Sequence, residues 1–136
     1  ERVMALAVFH DVSEVITGDL PSPIKHHDPD LRSAYGRIEA AAQQRLTAML
    51  PEGLREAYRS LLIGEDRAEH VQLVKAADKL CSYLKCLEEL KSGNEEFTYA
   101  KAAIEGEIEA LGMPEVVWFM ERFVPSFSLT LDELNR

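Results

Sequence analysis

Apolar residues recur along almost the whole chain at intervals of three and four, the spacing of helices that bury one face. Val3, Met4, Leu6, Ala7 and Val8 open the first run. It predicts a helix over about residues 1–16, closed by Gly18, a residue favoured just past a helix end. The loop Gly18-Asp19-Leu20-Pro21-Ser22-Pro23 follows, stiffened by two prolines, and His26-His27-Asp28 extends it. Asp28-Pro29 reads as a cap with proline at the first helical position, and Leu31, Ala34, Tyr35, Ile38, Ala41, Ala42, Leu46 and Met49 carry the next helix. Pro51 starts a shorter one, to about residue 62. Gly64-Glu65-Asp66 interrupts the pattern before a long helix over about residues 66–91. Its apolar positions are Val71, Val74, Ala77, Cys81, Leu84 and Leu87, with Leu73 and Leu80 alongside.

Ser92-Gly93-Asn94 ends that helix and caps another over about residues 95–111. Gly112 and Pro114 then lead into a helix carrying Trp118, Phe119 and Phe123. Val124-Pro125-Ser126 is expected to break the chain, and Thr130 with Glu133 predicts a capping box for a last short helix. No alternating strand pattern exceeds a few residues, and no repeat or low-complexity segment is present. The expected class is all-α, a multi-helix bundle.

Composition narrows the picture. A chain of 136 residues, 46% apolar, suits one globular domain with a real core. The net charge of −9 argues against binding a nucleic-acid polymer, which calls for a basic stripe. A small phosphorylated substrate stays compatible, because a bound divalent metal inverts the local field. Cys81 and Cys86 are not spaced as a C-x-x-C pair, and are expected to be reduced core thiols in a cytoplasmic protein. No apolar run approaches a membrane span and no signal-peptide pattern is visible in these residues. The first helical pattern begins at Glu1 without a cap, which raises the expectation of further residues upstream.

Three features carry candidate chemistry. In Phe9-His10-Asp11-Val12-Ser13-Glu14, helical spacing sets Glu14 on nearly the same face as His10 and Asp11. His10 and Asp11 could offer an imidazole nitrogen and a carboxylate oxygen to one metal, with Glu14 placed beside it as acid or base. The plainer alternative is a solvated helix face. Asp78 falls on the apolar side of the long helix as drawn from the pattern. A carboxylate there calls for a partner, either a basic side chain or a metal. His10, Asp11 and Asp78 together would suit a transition metal of the Mn, Co, Fe, Ni or Zn type, and lack the thiolates of a structural zinc site. The third feature is the proline-stiffened loop. There Asp19 is a candidate for a sugar hydroxyl and Lys25 for a phosphate; a turn residue and a solvated lysine are the alternatives. His26, His27 and His70 read as surface or structural histidines.

His10-Asp11, Ser13-Glu14 and Thr17-Gly18-Asp19-Leu20-Pro21-x-Pro23 together resemble the YfbR-like 5′-deoxynucleotidases of the HD-domain superfamily. The run Ala76-Ala77-Asp78-Lys79-Leu80-Cys81-x-Tyr83-Leu84-Lys85-Cys86-Leu87-Glu88-Glu89-Leu90 is similar as well, as is Phe119-Met120-Glu121-x-Phe123-Val124-Pro125-Ser126-Phe127. The resemblance implies one HD-type helical domain over residues 1–136, a cytoplasmic homodimer, and removal of the 5′-phosphate from deoxyribonucleoside monophosphates with a divalent metal such as cobalt or manganese. It implies metal ligands at His10, Asp11 and Asp78, an acid/base at Glu14 and a substrate carboxylate at Asp19. The family's first metal histidine and an Arg-Trp pair belong to an N-terminal helix with no counterpart in these residues. Two rival readings remain: an HD-type hydrolase of cyclic or polyphosphorylated nucleotides, and a non-catalytic metal-binding helical module.

Overall fold

The computed structural model describes residues 1–21 and 28–135, which form helices and no strand. In chain order these are α1 (Arg2–Phe9), α2 (Glu14–Thr17), α3 (Pro29–Met49), α4 (Glu52–Leu62) and α5 (Ala68–Lys91). A 3₁₀ turn (Glu95–Phe97) leads to α6 (Thr98–Leu111), α7 (Pro114–Arg122), α8 (Val124–Phe127) and α9 (Leu131–Leu134). The all-α expectation is met. Two compact units divide the chain, Glu1–Val74 and Lys75–Arg136, and the division falls inside α5.

Most helix ends follow from the local signals. The Asp28 carboxylate accepts from the N–H groups of Asp30 and Leu31 at 2.7 and 3.0 Å, and Pro29 occupies the first turn of α3, where no N–H is missed. Gly112 closes α6 at φ 59°, a left-handed conformation that costs glycine little. The capping box forms as drawn: Glu133 N–H donates to Thr130 Oγ1 at 3.3 Å, and Thr130 N–H to Glu133 Oε2 at 2.7 Å.

In the first unit, α1 packs on α4, α4 on α3, and α2 on α3. Its core is Leu6, Leu61 and Val74, flanked by Val3, Phe9 and Tyr58. The Phe9 and Tyr58 rings meet edge to face, with centroids 5.8 Å apart. In the second unit, α5, α6 and α7 contribute Ala76, Leu80, Tyr83, Ile108 and Val116 to a separate core. The buried Tyr83 hydroxyl donates to Glu105 at 3.0 Å, and Lys101 reaches the same carboxylate at 2.9 Å. Lys79 is paired with Glu107.

Four expectations are corrected. The first helix is not continuous to residue 16; it stops at Phe9 and resumes at Glu14. Val124-Pro125-Ser126 does not break the chain but opens α8, because proline in a first helical turn forgoes no bond. The buried face of α5 runs through Val74, Ala76, Leu80, Tyr83 and Cys86, leaving Ala77 and Cys81 exposed, so only Cys86 is a core thiol. Asp78 is two residues from both Ala76 and Leu80, about 200° around the helix from each, and is exposed. The unfavourable buried carboxylate expected from the pattern is therefore absent. No helix among the described residues is long and apolar enough to cross a membrane.

Leu6 is 3% exposed and Met4, on the same helix, is 71% exposed. Leu6→Ala is expected to lower the unfolding free energy by about 2–5 kcal/mol in urea denaturation, and Met4→Ala to stay within about 0.5 kcal/mol of the parent. Equal losses from both would refute the packing of α1 described above.

Candidate active site

His10 and Asp11 lie in the turn between α1 and α2. Val12 N–H donates to Phe9 O at 3.1 Å, Glu14 N–H to Asp11 O at 2.9 Å and Val15 N–H to Val12 O at 3.3 Å. Bonds spanning three residues wind the chain more tightly than an α-helix, and residues three apart then eclipse. The turn consequently sets Glu14 on the same side of the axis as Asp11, nearer in direction, though not in distance, than the continuous helix expected from the pattern would. Ser13 is buried within it, and its carbonyl accepts from both Ile16 and Thr17 at 2.9 and 3.1 Å.

The imidazole of His10 is anchored through Nδ1. Its Nδ1 lies 2.7 Å from Ala7 O, and a carbonyl only accepts, so Nδ1 carries a hydrogen. Its Nε2 lies 2.8 Å from Asp11 Oδ2. That contact sets one nitrogen and one oxygen where a cation could bridge them. A metal-ligating histidine usually donates its other ring N–H to a carboxylate, a backbone carbonyl or water, and the Nδ1 bond of His10 to Ala7 O is of that kind. Both side chains are accessible, so the donor pair fits a divalent metal. Among the described residues no group of three or more His, Cys, Asp or Glu side chains is placed to hold a metal ion. His10 and Asp11 thus offer two positions, and further ones would go to water, substrate or other groups.

Gly18 joins this turn to Asp19. Its φ of 72° and ψ of 166° lie in a region nearly confined to glycine. Its N–H donates to Glu14 O at 2.8 Å. Its carbonyl accepts from the Tyr35 hydroxyl and the Thr17 hydroxyl, each at 2.8 Å. Asp19 is exposed immediately beyond. Asp78 belongs to the second unit, on the exposed side of α5. Lys25, His26 and His27 lie outside the described residues.

The start of α1 is tied down by ion pairing. Arg2 Nε donates to Asp66 Oδ2 at 2.5 Å and its terminal nitrogen to Ser60 Oγ at 2.7 Å. His70 Nδ1 lies 2.6 Å from the other Asp66 oxygen, which also accepts from Arg67 N–H at 2.8 Å. His70 is thereby a structural histidine, as its position suggested. The Arg2 guanidinium first, then His70 and the Arg67 amide, hold the Asp66 carboxyl well below the usual carboxylate range. The pattern of the sequence did not single out Arg2, Ser60, Asp66 or Tyr35 as partners. Only the Asp66–His70 pair carried a signal, its i,i+4 spacing at a helix start. An open groove between α3 and α4, lined by Gln43, Gln44, Thr47, Arg55 and Arg59, is separate from this turn. Its Arg55 donates to the carbonyls of Ala48 and Leu50, closing α3.

Comparison with known proteins covers nearly the whole chain. The model of the 5′-deoxynucleotidase YfbR-like family matches residues 1–127. A 5′-deoxynucleotidase of Vibrio vulnificus is 48% identical over 136 residues, covering 99% of this chain and 70% of that protein. Relatives of the same description from Yersinia pseudotuberculosis and Yersinia pestis are each 53% identical, over 99% of this chain and 69% of theirs.

Asp66 supports a pH-dependent prediction. Its folded-state pKa is depressed, so the stability it contributes is fully present above the unfolded carboxylate value near ~3.9 and is lost as pH falls through the lower folded value. Asp66→Asn is expected to melt at a lower temperature than the parent at neutral pH, with the gap closing in acid below pH ~4. A gap that is independent of pH would show that the charge on Asp66 does not contribute.

Proposed function

The chain belongs to the YfbR-like 5′-deoxynucleotidase family, and from that membership we propose that it hydrolyses deoxyribonucleoside 5′-monophosphates to deoxynucleoside and inorganic phosphate. The observation that carries the reading is local: an anchored imidazole and a carboxylate share an accessible edge, one turn from a glutamate, within the stretch the family model matches.

His10 and Asp11 are the proposed ligands of a divalent metal, cobalt, manganese or another transition ion. Asp78 is proposed as a further ligand on the sequence resemblance alone. When bound, such a metal supplies Lewis-acid polarisation of a phosphoryl oxygen and a more acidic water. Glu14 is the proposed acid/base: it takes the proton of the attacking water, or delivers one to the departing 5′-oxygen. Water adds to phosphorus as the bond to the 5′-oxygen breaks, and the two products leave with the proton balance closed. Asp19 accepts a hydrogen bond from the deoxyribose. Lys25 is proposed as a phosphate contact, outside the described residues. A wall that leaves the 2′-hydroxyl without room or partner would favour the deoxy sugar. A cytoplasmic homodimer is the proposed context. The net charge of −9 supports a mononucleotide rather than a polymer as substrate.

Phosphate release from a panel of deoxy- and ribonucleoside monophosphates, with and without Co²⁺ or Mn²⁺, tests the reaction. Metal-dependent release that favours the deoxy series is expected. Activity confined to cyclic or triphosphorylated nucleotides would replace the reading with another phosphohydrolase. Glu14→Ala is expected to lower kcat by about 10²-fold or more while metal content is retained. Undiminished turnover in that variant would remove Glu14 from the mechanism.

A further inference from the structure

We propose that Tyr35 is a positioning residue for Asp19, acting through the Gly18 carbonyl, and that it thereby helps to set the preference for the deoxy sugar. The inference rests on the proposed nucleotidase reaction and on the role given there to Asp19. Its observation is the pair of hydroxyls on one oxygen. Tyr35 Oη and Thr17 Oγ1 each stand 2.8 Å from Gly18 O, and 3.4 Å from one another. A carbonyl oxygen has two lone pairs, so both can donate to it at once.

The mechanical consequence follows from peptide planarity. The atoms from Gly18 Cα to Asp19 Cα lie in one plane, because the bond between the residues is partly double. Fixing the carbonyl oxygen fixes that plane, and with it the position of the Asp19 Cα and the direction of its N–H. The preceding peptide is tied as well, through Gly18 N–H to Glu14 O at 2.8 Å. The backbone between Glu14 and Asp19 is thus held at both faces of Gly18. That residue's conformation, φ 72° and ψ 166°, is the one place where an untied glycine has the widest choice of alternatives. Tyr35 comes from α3, seventeen residues on from Gly18, so it carries the tie to a long helix rather than back into the same turn. Thr17 supplies only the local half. Removing the Tyr35 hydroxyl keeps the ring and the packing of α2 on α3, and leaves the plane held on one side. Asp19 then samples more orientations, and its hydrogen bond holds the sugar less firmly against the wall that leaves a 2′-hydroxyl no room, so discrimination suffers before the chemistry beside Glu14 does.

The test compares the intact protein with Tyr35→Phe, Asp19→Asn and the double variant, by steady-state kinetics on a deoxynucleoside monophosphate and the matching ribonucleotide. Melting temperature and metal content are read on each. Tyr35→Phe is expected to lower the deoxy-over-ribo ratio of kcat/KM by about 3- to 10-fold, the equivalent of one hydrogen bond, mainly through KM. In the Asp19→Asn background the same substitution is expected to change that ratio by less than about 2-fold, since the group it positions is already altered. Thr17→Val should act in the same direction. A parent active on deoxynucleotides whose ratio is untouched by Tyr35→Phe, or falls equally in both Asp19 backgrounds, would overturn the positioning role alone. Loss of kcat on both sugars together with melting temperature would make Tyr35 structural and overturn it likewise. A parent inactive on all deoxynucleotides would overturn both this inference and the reaction on which it rests.

Discussion

Leu6 between Leu61 and Val74 is the contact from which the candidate site in the first unit hangs. α1 has only eight residues, too short to be stable by its own hydrogen bonds. Burying Leu6 holds it in place, and the two ends of the helix are then secured differently. At the start, Arg2 is tied by charge to Asp66 and by a hydroxyl to Ser60; at the end, Phe9 rests on the edge of Tyr58. His10 and Asp11 follow Phe9 directly, so the donor pair inherits its position from an apolar contact and an ion pair that lie outside it.

The turn itself links the residues of three proposed roles through backbone bonds. Tight three-residue bonding draws Glu14 into line with Asp11, Glu14 O receives the Gly18 N–H, and Gly18 O receives two hydroxyls ahead of Asp19. The proposed metal ligands, acid/base and sugar contact can therefore keep a set spacing in a segment of ten residues without a long helix. The arrangement also gives the TGDLP loop a physical rationale: the threonine donates to the carbonyl of the glycine, the glycine takes a conformation other residues resist, and the aspartate begins where that constraint ends.

The helix ends were legible because their causes are local. Asp28 bonding two N–H groups, Gly112 at positive φ, and the reciprocal Thr130–Glu133 box all act within four residues, and each could be read without knowing what the helices pack against. The candidate site was legible to a different degree. His10, Asp11, Glu14 and Asp19 stood out by their motif. What orders them did not: Tyr35 looked like one more apolar position of its helix, and Asp66 like a break in the pattern.

By itself, then, the sequence determined the all-α class, most helix boundaries and the family, since these depend on neighbours along the chain and on a motif contiguous in it. The tertiary structure decided which side of α5 is buried, and so moved Asp78 and Cys81 to the exposed side while keeping Cys86 within. It also decided where the first helix is interrupted, and that a tyrosine seventeen residues away holds the Gly18 carbonyl. The physical reason is the same in each case. A helix carrying apolar residues on more than one side has several faces it could bury, and a hydroxyl has many carbonyls it could reach. Only the packing of distant segments selects among them.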